Sequence, residues 1–437
     1  MSWINFFENR VELHHSFGRG TNANISPNEE ELFNKSDEAF ENGRALDAYE
    51  FFLNSLQNYH GETPNNNIII HRDEKSLSFE LFQGSARVVG KITNETFYAE
   101  VIIVKKEGAN VALKRYILER NYQLTYSCYF TDSEYIKLKL FYNNITMSPQ
   151  KIFFPIRELA LNADFDKERI ISEFDGVTLQ DIEHLTDIDE DELKIKFKFL
   201  QLWIEELETR VSTLPSNDNT GMLAFLYLNI LFKIDYLLVP KYRIYQKTSK
   251  KLQEYFGEEN SSIEAKNEEL KSYILKLKKM NFEEFSQNFY NAKYTFNPIE
   301  KSSHEEVVNF ISESLNKIRW YKNNRYNQII PTIYKYIAFY CLYNYGLNQV
   351  QRNLLHLLIK IQNSIFFEEL KYKTDYKIES DSFSKRAIIS NIEDIIDEHK
   401  THFKSLESFG DKLNFNSMNE FSNSFYIQLK HLNFEEI

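Results

Sequence analysis

The sequence predicts a chain of two kinds: an α+β module, in which an antiparallel sheet is flanked by helices and preceded by a helical hairpin, followed by a large all-α helical bundle. Three observations carry that expectation. Glycine and proline are scarce, 12 and 8 in 437 residues, less than half of the roughly 12 % an average protein carries. Strand-like hydrophobic runs are confined to the stretch between Pro64 and Tyr142, and the clearest of them alternate with the two-residue period of a half-buried strand. Beyond Phe174 the apolar residues return to helical spacing and the rings crowd together, as in Tyr334, Tyr336, Phe339, Tyr340, Tyr343 and Tyr345. So many aromatics cannot all face water, which argues for a thick helical core with tyrosine hydroxyls at its margins.

Residues 1–28 are Asn-rich and read as a loosely held arm. In residues 29–63, Leu32, Phe33, Ala39 and Phe40, then Leu46, Tyr49, Phe52, Leu53 and Leu56, recur at helical spacing on either side of Gly43, the pattern of a helical hairpin. The stretch AFENGRALDAYEFFLNSL is similar to one tetratricopeptide unit, but no second copy follows, so an isolated hairpin is expected. Residues 64–180 hold the module. Its strands are expected from Asn67 to His71, Leu77 to Phe82, Arg87 to Ile92 and Phe97 to Lys105, then as an antiparallel hairpin of two alternating strands, Leu124, Tyr126, Cys128 and Phe130 on one face of the first and Ile136, Leu138, Leu140 and Tyr142 in the second, joined by a Thr131, Asp132, Ser133 turn. Helices are expected from Gly108 to Tyr122 and from Pro149, where Ile152, Ile156, Leu159, Ala160 and Ala163 form one stripe. The acidic connector DIEHLTDIDEDEL opens the all-α region, residues 181–437. There, helices are expected from Glu190 to Leu214, Gly221 to Phe256, Ser262 to Met280, Phe282 to Tyr290, Glu305 to Tyr326, Ile330 to Asn344, Leu347 to Leu370, Ser384 to Leu406 and Asn419 to Leu432, with Pro215, Pro240, Pro298 and Pro331 marking breaks or kinks.

The order strand, strand, helix, strand, strand in AEVIIVKKEGANVALKRYILERNYQLTYSCYFTDSEYIKLKLFYNN, followed by the helix of PQKIFFPIRELALNADFDKERIISEF, resembles the YbjN-like, type III secretion chaperone-like fold over about residues 67–174. That resemblance implies a protein-binding module able to dimerise, and it brings no catalytic residues. The extra early strands, the N-terminal hairpin and the helical half depart from that family.

Motifs with known chemistry are missing. There is no GxxxxGK[ST], GxSxG, HExxH or CxxC, and the GxGxx of Gly18 to Asn22 follows no strand. Asp187, Asp189 and Asp191 have the spacing that opens a calcium loop, but Glu192 and Lys198 stand where Gly and a bidentate Glu are needed, so a solvated acidic helix start is expected. His399 and His402 share a helical face without an identifiable third ligand and read as surface histidines. No catalytic residue, metal site or cofactor is therefore assigned. Cys128 and Cys341 make no disulfide framework and fit a reducing compartment. The N-terminal stretch lacks the apolar run of a secretory signal. Asn229, Lys233, Asp235 and Lys335 interrupt the two most apolar stretches, so no transmembrane segment is expected and the chain is read as cytoplasmic.

Lys plus Arg is 52 against 64 Asp plus Glu, a net −12, which disfavours generic nucleic-acid binding. Two basic stretches interleaved with aromatics stand out against it: Lys241, Arg243, Lys247, Lys250 and Lys251, and Lys317, Arg319, Lys322 and Arg325 around Trp320. Cations and stacking rings suit a single nucleic-acid strand, and equally the solvated face of an amphipathic helix or the docking of an acidic protein. Arg352, Asn353 and His356 parallel the Arg, polar, His set of all-helical ribonucleases of the HEPN class, at closer spacing and amid leucines that suit a core. The leading expectation is a non-enzymatic adaptor or chaperone-like factor that binds an unidentified protein partner. An RNA-binding or RNA-cleaving helical protein using Arg352 and His356, and a structural subunit of a larger complex, are the alternatives.

Overall fold

A computed structural model describes residues 17–18, 27–60, 63–144, 147–215, 219–257 and 259–435. The remainder of the proposed arm lies outside the described residues. Helices α1 (Pro27–Glu41) and α2 (Ala45–Ser55) form the expected hairpin. Gly43 turns it at φ 71°, in the left-handed region where only glycine is unstrained. Fully buried Ala39 and Ala48 let the helices approach, and the Ser36 hydroxyl donates across the gap to the Ala48 carbonyl at 2.7 Å.

A short pair, β1 (Tyr59–His60) and β2 (Thr63–Pro64), leads into a six-stranded antiparallel sheet ordered β3-β4-β5-β6-β8-β7: β3 (Ile68–Arg72), β4 (Ser76–Gln83), β5 (Ala86–Thr93), β6 (Thr96–Lys105), β7 (Cys128–Thr131) and β8 (Tyr135–Asn143). Alternation decides its faces. Leu77, Phe79, Val88, Ile92, Phe97, Ala99, Val101, Leu138 and Leu140 are buried on one side, beneath α2 and α4 (Pro149–Glu173). The other side carries Glu80, Arg87, Lys91, Tyr98, Glu100 and Lys137, the polar face of a one-sided antiparallel sheet. Gly90 lies opposite Phe79 because a Cβ there would collide with that ring. Helix α3 (Val111–Gln123) closes the β7 end.

The helical half comprises α5 (Glu190–Ser212), α6 (Thr220–Lys233), α7 (Tyr242–Gly257), α8 (Ile263–Lys278), α9 (Phe282–Ser286), α10 (His304–Asn323), α11 (Ile330–Asn344), α12 (Gln349–Gln362), α13 (Ser364–Glu369), α14 (Lys385–Asp397) and α15 (Met418–Lys430), with the two-residue strands β9 (Tyr376–Lys377) and β10 (Ser382–Phe383) between α13 and α14. Several expected helices are corrected. The continuous helix from Gly221 to Phe256 is broken by a π-helical turn, Ile234–Leu238, and by Val239 at φ 54° before Pro240. The expected helix through Leu370 divides at Asn363, whose side chain bonds the Ile359 carbonyl. The helix drawn to Leu406 stops at Asp397, just after its buried Ile388, Ile392, Ile396 stripe runs out, which leaves His399 and His402 beyond the helix in turns. Pro331 opens α11 instead of interrupting it, as suits a first-turn proline. Thr220–Leu238 is the one helix among the described residues long and apolar enough to cross a membrane, and 72 % of its apolar window is buried within the protein.

One segment of the helical region belongs physically to the sheet. Residues 291–300 run extended along the module: the Gly84 amide donates to the Lys293 carbonyl at 2.8 Å, and the Thr295 and Phe296 amides donate to the Gln83 side chain. Phe296, 3 % exposed, enters the sheet core. Arg157 of α4 then clasps the Asn297 carbonyl at 2.9 Å.

Candidate functional site

Helix α7 organises two concave surfaces. Its apolar stripe, Ile244, Thr248 and Leu252, is buried, and the Thr248 hydroxyl lies 2.9 Å from the hydroxyl of Tyr273 on α8. That leaves Arg243, Gln246, Lys247, Lys250 and Gln253 to line a cleft of about 520 Å³ against α4, the π-helical turn and the end of α11. Tyr245, Tyr343 and Phe165 supply its rings. Arg169 on the opposite wall is tied to Glu173 at 3.1 Å, whereas Arg243 and Lys247, one turn apart, have no carboxylate within ion-pair distance among the described residues. Burial first, then Arg243 and Lys276, hold the Lys247 ammonium below the usual lysine range. Tyr242, at the start of α7, has a left-handed backbone, as has Val239 three residues earlier. Such π-turns and left-handed β-branched residues are costly and concentrate at working sites.

The first basic stretch thus divides. Arg243, Lys247 and Lys250 reach the cleft; Lys241 is buried, donating to the Tyr294 hydroxyl and lying over that ring at 4.6 Å; Lys251 is neutralised by Glu254 and Glu269, each at 2.9 Å.

The last turn of α7 reaches a second hollow of about 400 Å³, where Tyr255 and Phe256 meet Phe225 and Leu228 of α6, Ile263 of α8, and Trp320 and Tyr321 of α10. Gly221 and Ala224 keep its floor low, since a Cβ on Gly221 would lie 3.0 Å from the Tyr321 hydroxyl. Trp320, Ile263 and Phe256 are 56 %, 50 % and 47 % exposed. Lys317 lines this groove, and Arg319, Lys322 and Arg325 are exposed on the same stretch, none of the four ion-paired with a described residue. A ring chain joins the two hollows: Phe232 lies 4.9 Å from Tyr343 and 6.4 Å from Phe256.

Arg352 and His356 lie on α12 and line neither hollow, although His356 sits behind Tyr236 of the first cleft. The His356 Nδ1 is 2.8 Å from the Tyr236 hydroxyl, and Phe17, Tyr236 and Phe367 surround its ring. Burial, reinforced by Lys360 and Arg352, pushes His356 down to about 3, so it is a neutral imidazole at ordinary pH. Phe17 comes from the N-terminal region and is seated beside it, with the Gly18 amide donating to the Tyr236 carbonyl at 2.8 Å.

Sequence reasoning missed the charged network at the end of α4. Asp166, wholly buried, receives Arg120 at 2.9 Å, the Tyr129 hydroxyl at 2.6 Å and the Tyr116 hydroxyl. Asp164 accepts the Ser85 amide at 2.7 Å beneath Gly84, where a Cβ would strike its carboxylate. Lys167 donates to the Gln180 carbonyl at 2.7 Å, and Glu168 accepts the Tyr290 hydroxyl at 2.7 Å. Burial draws Lys167 down to about 8, against the pull of Asp181, Asp164 and Glu183. In DFDKE nothing distinguishes these charges from a solvated helix end. Among the described residues no group of three or more His, Cys, Asp or Glu could hold a metal ion. Compared with known proteins, the chain matches no family model and no curated relative.

Proposed function

We propose that this chain is a non-enzymatic protein-binding adaptor, and that the groove around Trp320 receives an amphipathic, acidic helical segment of its partner. One observation carries the reading: Trp320, Phe256 and Ile263 are exposed together beside the unpaired cations Lys317, Arg319, Lys322 and Arg325, in a molecule of net charge −12. An aromatic hollow with small residues in its floor suits the apolar stripe of a helix, and aromatic anchors of this kind dominate binding energy at interfaces. The basic rim selects acidic flanks and speeds encounter.

The test uses a fluorescein-labelled synthetic helix with Leu and Phe on one face and Glu on the other, read by anisotropy against the full chain. The Glu peptide should bind at least about tenfold more tightly than its Lys-for-Glu counterpart, with the preference shrinking as salt rises. Trp320→Ala combined with Phe256→Ala should abolish binding while circular dichroism is unchanged. Equal affinity for both peptides, or undiminished binding by the double variant, overturns the proposal. Retention of a single-stranded RNA in place of the acidic peptide would transfer the reading to RNA.

A further inference from the structure

A third, smaller hollow lies between α5, α6 and α11, apart from both surfaces above. Its floor is Lys233, the last residue of apolar α6, 6 % exposed and with its ammonium 3.9 Å above the ring of Trp203. Lys233 has neither hydrogen bond nor ion pair with a described residue, and its polar contact is the ring of Trp203. A cation held over an aromatic face recovers only part of the hydration it gave up. Lys335 forms the wall and Arg210 the mouth, with the Arg210 guanidinium 3.4 Å from the Thr332 hydroxyl. Among the described residues Glu206 is the only carboxylate lining the hollow, and it lies within ion-pair distance of none of the three cations. Asn229 completes the lining, its buried Oδ1 lacking a partner.

We propose that this hollow is a binding site for a phosphate-class oxyanion. With its lysines protonated, three cations against one carboxylate give the hollow an excess of two positive charges, which suits an anion and opposes a metal ion. Its volume of about 40 Å³ has room for roughly three waters, hence for one tetrahedral oxyanion, with any organic substituent left outside the mouth. The donors come from three different helices: two ammonium groups, a guanidinium fork and the Thr332 hydroxyl. Convergence from several directions suits a tetrahedron of acceptors, and a guanidinium presents paired donors to such a group. An occupant would accept from Lys233, neutralise the mutual repulsion of the cations and tie α5, α6 and α11 together. The charged groups facing Lys233 and Lys335 are Glu206 and Arg210 of α5 together with each other. Burial first, then this crowding, draws Lys335 down to about 8 and holds Lys233 well below the usual lysine range. Filling the hollow with an anion therefore takes up protons.

Titration calorimetry of the full chain with inorganic phosphate, at matched ionic strength and in two buffers of different ionisation heat, tests the site. Saturable binding with net proton uptake near pH 8 is expected, weakened at least about tenfold by Lys335→Gln and lost in Lys233→Met. Glycerol phosphate separates the two sources of such a group: binding as tight as inorganic phosphate identifies a phosphate ester as an accepted ligand, and weaker binding identifies the free ion. If Lys233→Met does not fold, the paired mouth variant Arg210→Gln with Lys335→Gln serves in its place. Absence of saturable heat with phosphate or sulfate, or undiminished binding in these variants, overturns the proposal.

Discussion

On α4 the charges that leave water are met on arrival. Asp166 takes Arg120 and two tyrosines, Asp164 takes Ser85, Lys167 finds the carbonyl of Gln180, and Glu168 receives Tyr290. On α6 and α11 the comparable lysines, Lys233 and Lys335, meet each other and an exposed arginine. The difference follows from what the charges do. In the module they tie α4 to α3, the Gly84–Ser85 turn and the incoming helical half, so each carries a hydrogen bond that would be lost if the helix shifted. In the bundle the apolar stripes already position the helices, and Lys233 meets a ring instead of a carboxylate.

That contrast can be broken from either side. The largest effect is expected for Asp166→Ala, which leaves Arg120, Tyr116 and Tyr129 without their acceptor and should cost about 3–5 kcal/mol, read as a lower urea midpoint. Phe296→Ala, which withdraws the bundle's anchor from the sheet core, should cost about 3 kcal/mol and should increase proteolysis around residues 291–300. Lys233→Met should move the other way in anion-free buffer, stabilising by about 1–2 kcal/mol; a loss as large as that of Asp166→Ala would erase the distinction between the halves. Acid titration sharpens it further. His356 is held at about 3 in the folded chain against an ordinary 6.5, so between those values the unfolded chain binds the proton and the folded one does not. Stability should therefore fall as pH drops below 6.5, by at most about 1.4 kcal/mol per unit, and His356→Phe should flatten that slope. Smallest of all, Trp320→Ala should shift stability by less than about 0.5 kcal/mol while weakening the acidic peptide, since its ring is 56 % exposed.

Much of this architecture was legible beforehand where one face of an element is buried and the other is not. The two-residue alternation of Leu138 and Leu140 with Lys137 and Lys139, and the spacing of Ile152, Ile156, Leu159, Ala160 and Ala163, state which side faces the core. The site was legible only in parts. The basic stretches named Arg243, Lys247, Lys250, Lys317 and Trp320, which do line the two hollows, yet the same stretches contained Lys241 and Lys251, which Tyr294, Glu254 and Glu269 occupy. Lysines that interrupt an apolar run, Lys233 and Lys335, carried a usable signal: each sits where hydration must be given up, and they meet in one hollow.

By itself the sequence determined the two-part architecture, because hydrophobic period is a property of neighbouring residues. Where each helix ends, which cations keep a free face, that residues 291–300 return to the sheet and that three cations from α5, α6 and α11 converge were decided by the tertiary structure alone. Those outcomes depend on partners tens to hundreds of residues away, and the free energy of a buried charge is set by what surrounds it, not by what precedes it in the chain.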